Sequence, residues 1–124
     1  FRTLREAGFE DRNITILADG FEKAGESRRA DGEPTRAAIL LALEKMTREA
    51  ASGDQIMVYL SGHGSQAPIT DRASLLHHPD GLNPIFLPID IGKWNDAVGA
   101  VENAIPGDEF GLMLTLTSQI GGYF

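Results

Sequence analysis

Gln55-Ile56-Met57-Val58-Tyr59-Leu60 runs directly into Ser61-Gly62-His63-Gly64-Ser65-Gln66, so a short apolar stretch ends in a histidine held between two glycines. Six residues of this composition read as a buried strand rather than a helix. A strand that delivers a histidine at its end places the imidazole in the crevice outside the carboxyl ends of a sheet, where open α/β folds carry out their chemistry. The glycines lack a Cβ, which lets the chain turn and leaves the ring uncovered. An imidazole titrates near neutrality, so His63 is a candidate general acid or base.

Working outward, the chain reads as a βαβ unit. Asn13 to Leu17 is a short apolar strand, Pro34 to Ala51 a helix and Gln55 to Leu60 the next strand. Ile39, Leu43, Met46 and Ala50 form one apolar helical face, with Thr35 suited to the N-cap and Gly53 to the stop. Arg36, one residue inside that cap, reads as a solvated surface group. Asp19 to Glu33 is rich in glycine and charge and reads as a surface loop, with Phe21 its one large apolar residue.

Beyond the histidine, Ala67 to Pro84 reads as a loop on the side of the site. Its adjacent His77 and His78 are expected to be solvated, since neighbouring residues do not aim at one point without an imposed turn. Ile85-Phe86-Leu87-Pro88-Ile89 is a second extended apolar stretch, with Pro88 marking its end or an edge and Asp90 capping the turn at Ile91-Gly92. Trp94 is expected to pack over the loop base. Asp108 and Glu109 open a helix through Phe110 to Leu116, at the end where the helix dipole favours acids.

Composition narrows the function. The 124 residues, 42% of them hydrophobic, support one modest core, and no stretch approaches the ~18 uninterrupted apolar residues of a membrane span. No secretory signal pattern is present, and a missing true N-terminus would hide one; localisation is left open, with a soluble, cytoplasmic protein without membrane contact as the expectation. The net charge is −7. Residues 63–124 hold seven acidic side chains against two basic ones, which argues against nucleic acid and reads either as a solvated acidic surface that aids solubility or as a field that favours a divalent cation or a basic peptide. There is no cysteine, hence no disulfide and no thiolate metal site. Ser61 to Ser65 lacks the lysine and spacing of a phosphate-binding loop. No third group is identifiable that would make Ser61 or Ser65 a nucleophile.

Tyr59-Leu60-Ser61-Gly62-His63-Gly64-Ser65-Gln66, with Pro34-Thr35-Arg36 before it and Asp80-Gly81, Leu87-Pro88-Ile89-Asp90 and Gly107-Asp108-Glu109 after it, resembles the histidine-bearing part of the caspase and metacaspase family of cysteine endopeptidases, especially its bacterial metacaspase-like members. The resemblance runs from the first residues to about Gly111. It implies an α/β fold, a three-layer αβα sandwich with a mainly parallel sheet, in which a first strand would lie between Asn13–Leu17 and Gln55–Leu60. It implies proteolysis by a Cys-His dyad, with His63 protonating the leaving amine and the Gly64 N–H serving the oxyanion. Substrates would be peptides or proteins; metacaspases cut after Arg or Lys and caspases after Asp, and the choice leans to basic residues but is not decided by this sequence, since the pocket acids that set it lie near the first strand and the cysteine segment. The chemistry would need no cofactor, though calcium is possible, with Asp80, Asp108 and Glu109 as its candidate ligands.

The family's nucleophile lies in an Asp-x-Cys-His-like segment beyond the Asp-Glu helix, and this chain has no counterpart to it. Residues 1–124 therefore read as a single partial domain, truncated at both ends. Its opening in the tail of a helix, Arg2 to Phe9, favours a fragment over a pseudoenzyme. The alternative is a catalytically dead pseudopeptidase that holds peptide or calcium and regulates an active relative.

Overall fold

Thr35 begins the helix on which the rest is assembled. Its Oγ1 accepts the Ala38 N–H at 3.2 Å, and the good helix formers that follow carry α2 from Arg36–Glu49. The Ala50 N–H still reaches the Met46 carbonyl, after which Gly53, at φ 94°, turns the chain away. The expected helix and its cap are found, a little shortened. The computed structural model describes residues 2–20, 28–70, 74–76 and 78–119, so Phe21, Asp71, His77 and residues 120–124 lie outside the described residues.

The described helices and strands follow in the order α1 (Arg2–Glu6), α2, β1 (His63–Pro68), β2 (Leu82–Leu87), β3 (Trp94–Asn95), β4 (Ala100–Val101), β5 (Ile105–Pro106) and α3 (Gly107–Gln119). The strands β1, β2 and β5 form a sheet in that order, antiparallel throughout. A separate hairpin pairs β3 with β4.

Prolines fix the hydrogen-bonding phase of this sheet. His63 faces Leu87, Gly64 faces Phe86 and so on to Pro68 opposite Leu82. Continuing one step, the Ile69 N–H donates to the Gly81 carbonyl at 2.9 Å. Bonded and non-bonded pairs alternate in an antiparallel ladder, so 63/87, 65/85 and 67/83 are the bonded pairs. Pro68 and Pro84, which have no N–H to give, then fall at non-bonded pairs of the β1–β2 ladder. In the β2–β5 ladder the bonded pair is Phe86 with Ile105, and Pro106 again takes the non-bonded position opposite Ile85. Pro84 would next face β5, and having no donor it ends that ladder where the chain turns into α3.

Phe86 and Ile105 turn one face of the sheet onto the helices. Ile39, Leu43 and the fully buried Ile105 form the core, with Leu17, Leu40, Met46, Val58, Phe86, Phe110 and Met113 packed around it. The Phe86 and Phe110 rings meet edge to face at 6.3 Å. Farther along, α2 and α3 are pinned by the hydroxyls of Thr47 and the fully buried Thr117, 2.7 Å apart. Each hydroxyl also contacts the carbonyl four residues back, Leu43 and Met113 respectively. Two protons serve three contacts, so the donor role is shared along this chain.

The α/β class expected from the sequence is found, but the mainly parallel sheet is corrected by the structure, a small α/β arrangement whose named strands are all antiparallel. Asp11–Asn13 is a 3₁₀ turn, Leu17 makes a single parallel bridge to Gly32, and residues 56–60 belong to no strand. A ladder requires a lateral neighbour, and the described residues place no strand between these two runs. Apolar composition reports burial, and one face of each run is indeed used: Ile14 is buried while Leu17 and Val58 pack on the core. The opposite face is bare, with Met57 63% and Tyr59 83% exposed. Trp94 is also corrected. It is 41% exposed, and its indole donates to Asp96 at 2.8 Å instead of covering a loop.

The segment around Leu17 is held by a polar clamp. The Asp31 carboxylate accepts the Ile16 N–H at 2.8 Å and pairs with Arg28, which also donates to the carbonyls of Asp11 and Ile14. Partial burial opposes ionisation of Asp31, but the Ile16 N–H, Arg28 and the more distant Lys45 outweigh it and hold the carboxyl below its usual value of 3.8.

Two outcomes follow for stability. Val58→Ala is expected to cost about 1–2 kcal/mol in denaturant melts, whereas Met57→Ala and Tyr59→Ala stay within about 0.5 kcal/mol; equal losses at all three would show that both faces of the run are packed. A depressed carboxyl stabilises the fold above its unfolded pKa and loses that contribution as pH falls through the folded one. Asp31→Asn should therefore lower the melting temperature at neutral pH and narrow the gap to the wild type at about pH 3. A constant difference across that range would remove the ionised clamp from the account.

Candidate functional site

His63 opens β1 and is exposed, as are Ser61, Gly62, Gly64, Ser65 and Gln66 around it. Its backbone is fixed by the bonded pair with Leu87 at the far end of β2. Two and three residues on, the chain is anchored to the start of α2: the Ile89 N–H donates to the carbonyl of Pro34, just before the helix, at 3.1 Å, and the Asp90 carboxylate accepts the Arg36 N–H at 2.8 Å. The imidazole thus sits at the head of a strand whose partner is tied to a helix N-terminus.

Glycine is required at 62 for a reason other than turning. Neither Gly62 nor Gly64 has a positive φ. A Cβ at Gly62 would lie 3.0 Å from Cζ of Phe86, a ring already set against Phe110. The segment before His63 therefore passes directly over the edge of the core. Gly64 occupies a non-bonded pair, which turns its N–H away from β2 toward the edge of the sheet on which no described strand pairs. A basic ring and an outward N–H on consecutive residues form the minimal geometry for moving a proton beside a developing oxyanion.

The imidazole makes no hydrogen bond or ion pair among the described residues, and neither Ser61 nor Ser65 hydrogen-bonds to it. No serine-histidine pair is assembled among the described residues, and the chain contains no cysteine to stand beside the imidazole.

The carboxylates expected to hold calcium go to separate tasks. The Asp80 Oδ1 accepts the Leu82 N–H at 3.2 Å and closes its own turn. Asp108 accepts from Asn83 Nδ2 at 3.0 Å and lies 3.0 Å from Nε2 of His78. His78, expected to be solvated, is therefore a part-buried partner of Asp108 instead. Glu109 takes both arms of Arg36, at 2.9 and 2.8 Å. No cluster of three His, Asp or Glu able to hold a metal ion occurs among the described residues, so the three carboxylates do not fit calcium as arranged.

Arg36 overturns its expectation as a solvated group. Besides the fork on Glu109, it donates to the Ala104 carbonyl at 3.1 Å. Asn103, held at φ 58°, donates in turn to the Asp90 carbonyl at 2.9 Å. Asp90, expected to cap the turn after it, caps α2 from 54 residues away. A sequence offers no local signal for contacts of this span. The capping motif at Thr35 was visible because its partner lies three residues on.

No helix among the described residues is long and apolar enough to cross a membrane. A family model described as a metacaspase, peptidase C14 domain, matches residues 2–105. Metacaspase-1 of Mycosarcoma maydis is 32% identical over 87 residues, which is 70% of this chain and 19% of that protein. Metacaspase III c of Phaeodactylum tricornutum is 34% identical over 83 residues, 67% of this chain and 21% of that protein. Metacaspase-1A of Aspergillus oryzae is 28% identical over 83 residues, covering 67% and 17%. The chain spans about a fifth of the length of these relatives. No solved structure matches it significantly. A glycine-flanked, solvent-facing histidine at the head of a strand and a family match over residues 2–105 lead to one assignment: the chain belongs to the metacaspase family of C14 peptidases.

Proposed function

We propose that this chain supplies the acid-base half of a cysteine endopeptidase site. The observation that carries the proposal is the pairing of an exposed His63 with an outward Gly64 N–H at the head of β1. In the reaction, a cysteine thiolate contributed from outside these 124 residues attacks the peptide carbonyl. Charge builds on the carbonyl oxygen, where the Gly64 N–H meets it. His63 gives its proton to the departing amine as the C–N bond breaks, leaving an acyl-thioester; it then takes a proton from the water that releases the acid. The acidic balance of residues 63–124 favours a basic residue at the cleavage position.

The antiparallel strands described here fit this reading as the platform that presents the histidine. In the whole domain the runs that carry Ile14, Leu17 and Val58 would join a wider sheet through their backbone edges, within a three-layer αβα sandwich, with these side chains still facing the core.

Purified alone, the chain is expected to hydrolyse neither Arg/Lys nor Asp peptides. The decisive test is a chimera in which it replaces the matched 87-residue segment of the Mycosarcoma maydis relative. Turnover of a basic peptide is expected, and His63→Ala should lower kcat at least about a hundredfold. A folded chimera that is inactive, or whose turnover survives His63→Ala, rejects the proposal. Because Asp80, Asp108 and Glu109 each have a protein partner, millimolar calcium should leave the melting temperature of the chain unchanged. A rise that Asp108→Asn abolishes would show that those partners exchange for the ion.

A further inference from the structure

The Oδ1 atom of Asn83 is buried and has no hydrogen-bond partner among the described residues. The other arm of the same amide donates to Oδ2 of Asp108 at 3.0 Å, and Nε2 of His78 stands 3.0 Å from Oδ1 of that carboxylate. One carboxylate is thus flanked by an imidazole and a carboxamide, with an acceptor left over beside them. A buried carbonyl oxygen without a donor is costly, so its persistence calls for a reason. All three side chains stand on backbone that is held in place. Asn83 lies in β2 at a bonded pair with Ala67, Asp108 lies in the first turn of α3, and the His78 carbonyl accepts the Gly81 N–H at 2.9 Å.

We infer that His78, Asp108 and Asn83 form a site for a divalent transition ion of the zinc class, with His78 Nε2, the Asp108 carboxylate and Asn83 Oδ1 as ligands and water completing the shell. The two arms of a carboxamide have nearly the same shape, so half a turn about the last bond of Asn83 sets Oδ1 where Nδ2 now stands, beside Asp108. Two oxygens at that separation repel unless a cation lies between them. The required movement is small. Ligands about 2.0–2.1 Å from a tetrahedral metal lie roughly 3.3 Å from one another, against the 3.0 Å found between His78 and Asp108.

The ligand types select the ion. Calcium asks for about six to eight oxygens and finds one carboxylate and one amide, whereas an imidazole nitrogen suits zinc, cobalt and nickel. The start of α3 disfavours a cation by its dipole, so the charge of Asp108 is indispensable to the site. An ion held there joins the turn at His78, β2 and α3 beside Glu109, whose fork with Arg36 carries the connection on to α2. It lies at the opposite end of the β1–β2 ladder from His63 and does not depend on the peptidase reading.

The probe is zinc chloride titrated into the isotopically labelled full chain. Zinc should shift the imidazole Nε2 resonance of His78 and raise the melting temperature, and calcium should do neither. His78→Gln can still donate to Asp108 but offers no imidazole, and should weaken zinc binding at least about tenfold; Asp108→Asn should weaken it as much. Asn83→Asp separates a ligand from a structural amide. A second carboxylate should tighten zinc binding by about tenfold, whereas an amide that serves only to hold Asp108 gives no such gain. His63→Ala should leave the affinity unchanged. The inference is overturned if the wild type binds no zinc, if zinc moves the His63 ring signals and not those of His78, if His78→Gln binds as well as the wild type, or if Asn83→Asp fails to bind more tightly.

Discussion

The fork between Arg36 and Glu109 is the joint that fixes the rest of the molecule. It connects the first turn of α2 to the first turn of α3 with two short hydrogen bonds, in a setting where both side chains are about two-thirds covered. A planar guanidinium opposite a carboxylate fixes orientation as well as distance, which a lysine would not do. The same arginine reaches the Ala104 carbonyl, and its backbone N–H is held by Asp90. Two helix starts, the loop after β2 and the residue before β5 are thereby gathered at one point. The histidine is placed from there through Asp90, Ile89 and the Leu87 pair. The His63 imidazole itself is left without a hydrogen bond among the described residues and open to solvent, while the contacts that fix its backbone are made several residues away.

Local grammar explains what could be seen in advance. Thr35 and the four-three-four spacing of Ile39, Leu43, Met46 and Ala50 gave α2 nearly to its ends, because cap, propensity and amphipathic face agree. Asp108 and Glu109 marked the start of α3 for the same reason. His63 stood out in the sequence because a polar ring between two glycines, at the end of an apolar run, adds nothing to packing, and the structure leaves it exposed at the head of β1. The two glycines were expected to turn the chain and uncover the ring. Gly62 has a further role that no local pattern shows, since it makes room for Phe86, a residue 24 positions later.

What escaped the sequence depends on contacts between distant residues. Arg36 with Glu109, Asp90 with the α2 N-terminus and His78 with Asp108 join residues 73, 54 and 30 positions apart. Each of these side chains has an ordinary local role open to it, as a solvated arginine, a turn cap or a loop histidine, and nothing nearby contradicts it. The parallel sheet was overdrawn for a related reason. An apolar run states that a segment has a dry side, and only a neighbouring strand makes it part of a ladder. Val58 meets the first of these conditions while Tyr59 lies in water.

The three prolines have a meaning for folding that their positions in the finished sheet do not display. A slip of β2 by one residue against β1 would aim the missing donor of Pro84 into the ladder and carry Phe86 to the face away from Phe110 and Ile105. A slip expressed on β1 would do the same with Pro68. Short hairpins ordinarily sample neighbouring registers at small cost, since the backbone repeats. Here the alternatives are each short of a hydrogen bond and of a core residue at once, so the hairpin closes in one alignment. The histidine at its open end arrives on the same face of the sheet every time the chain folds.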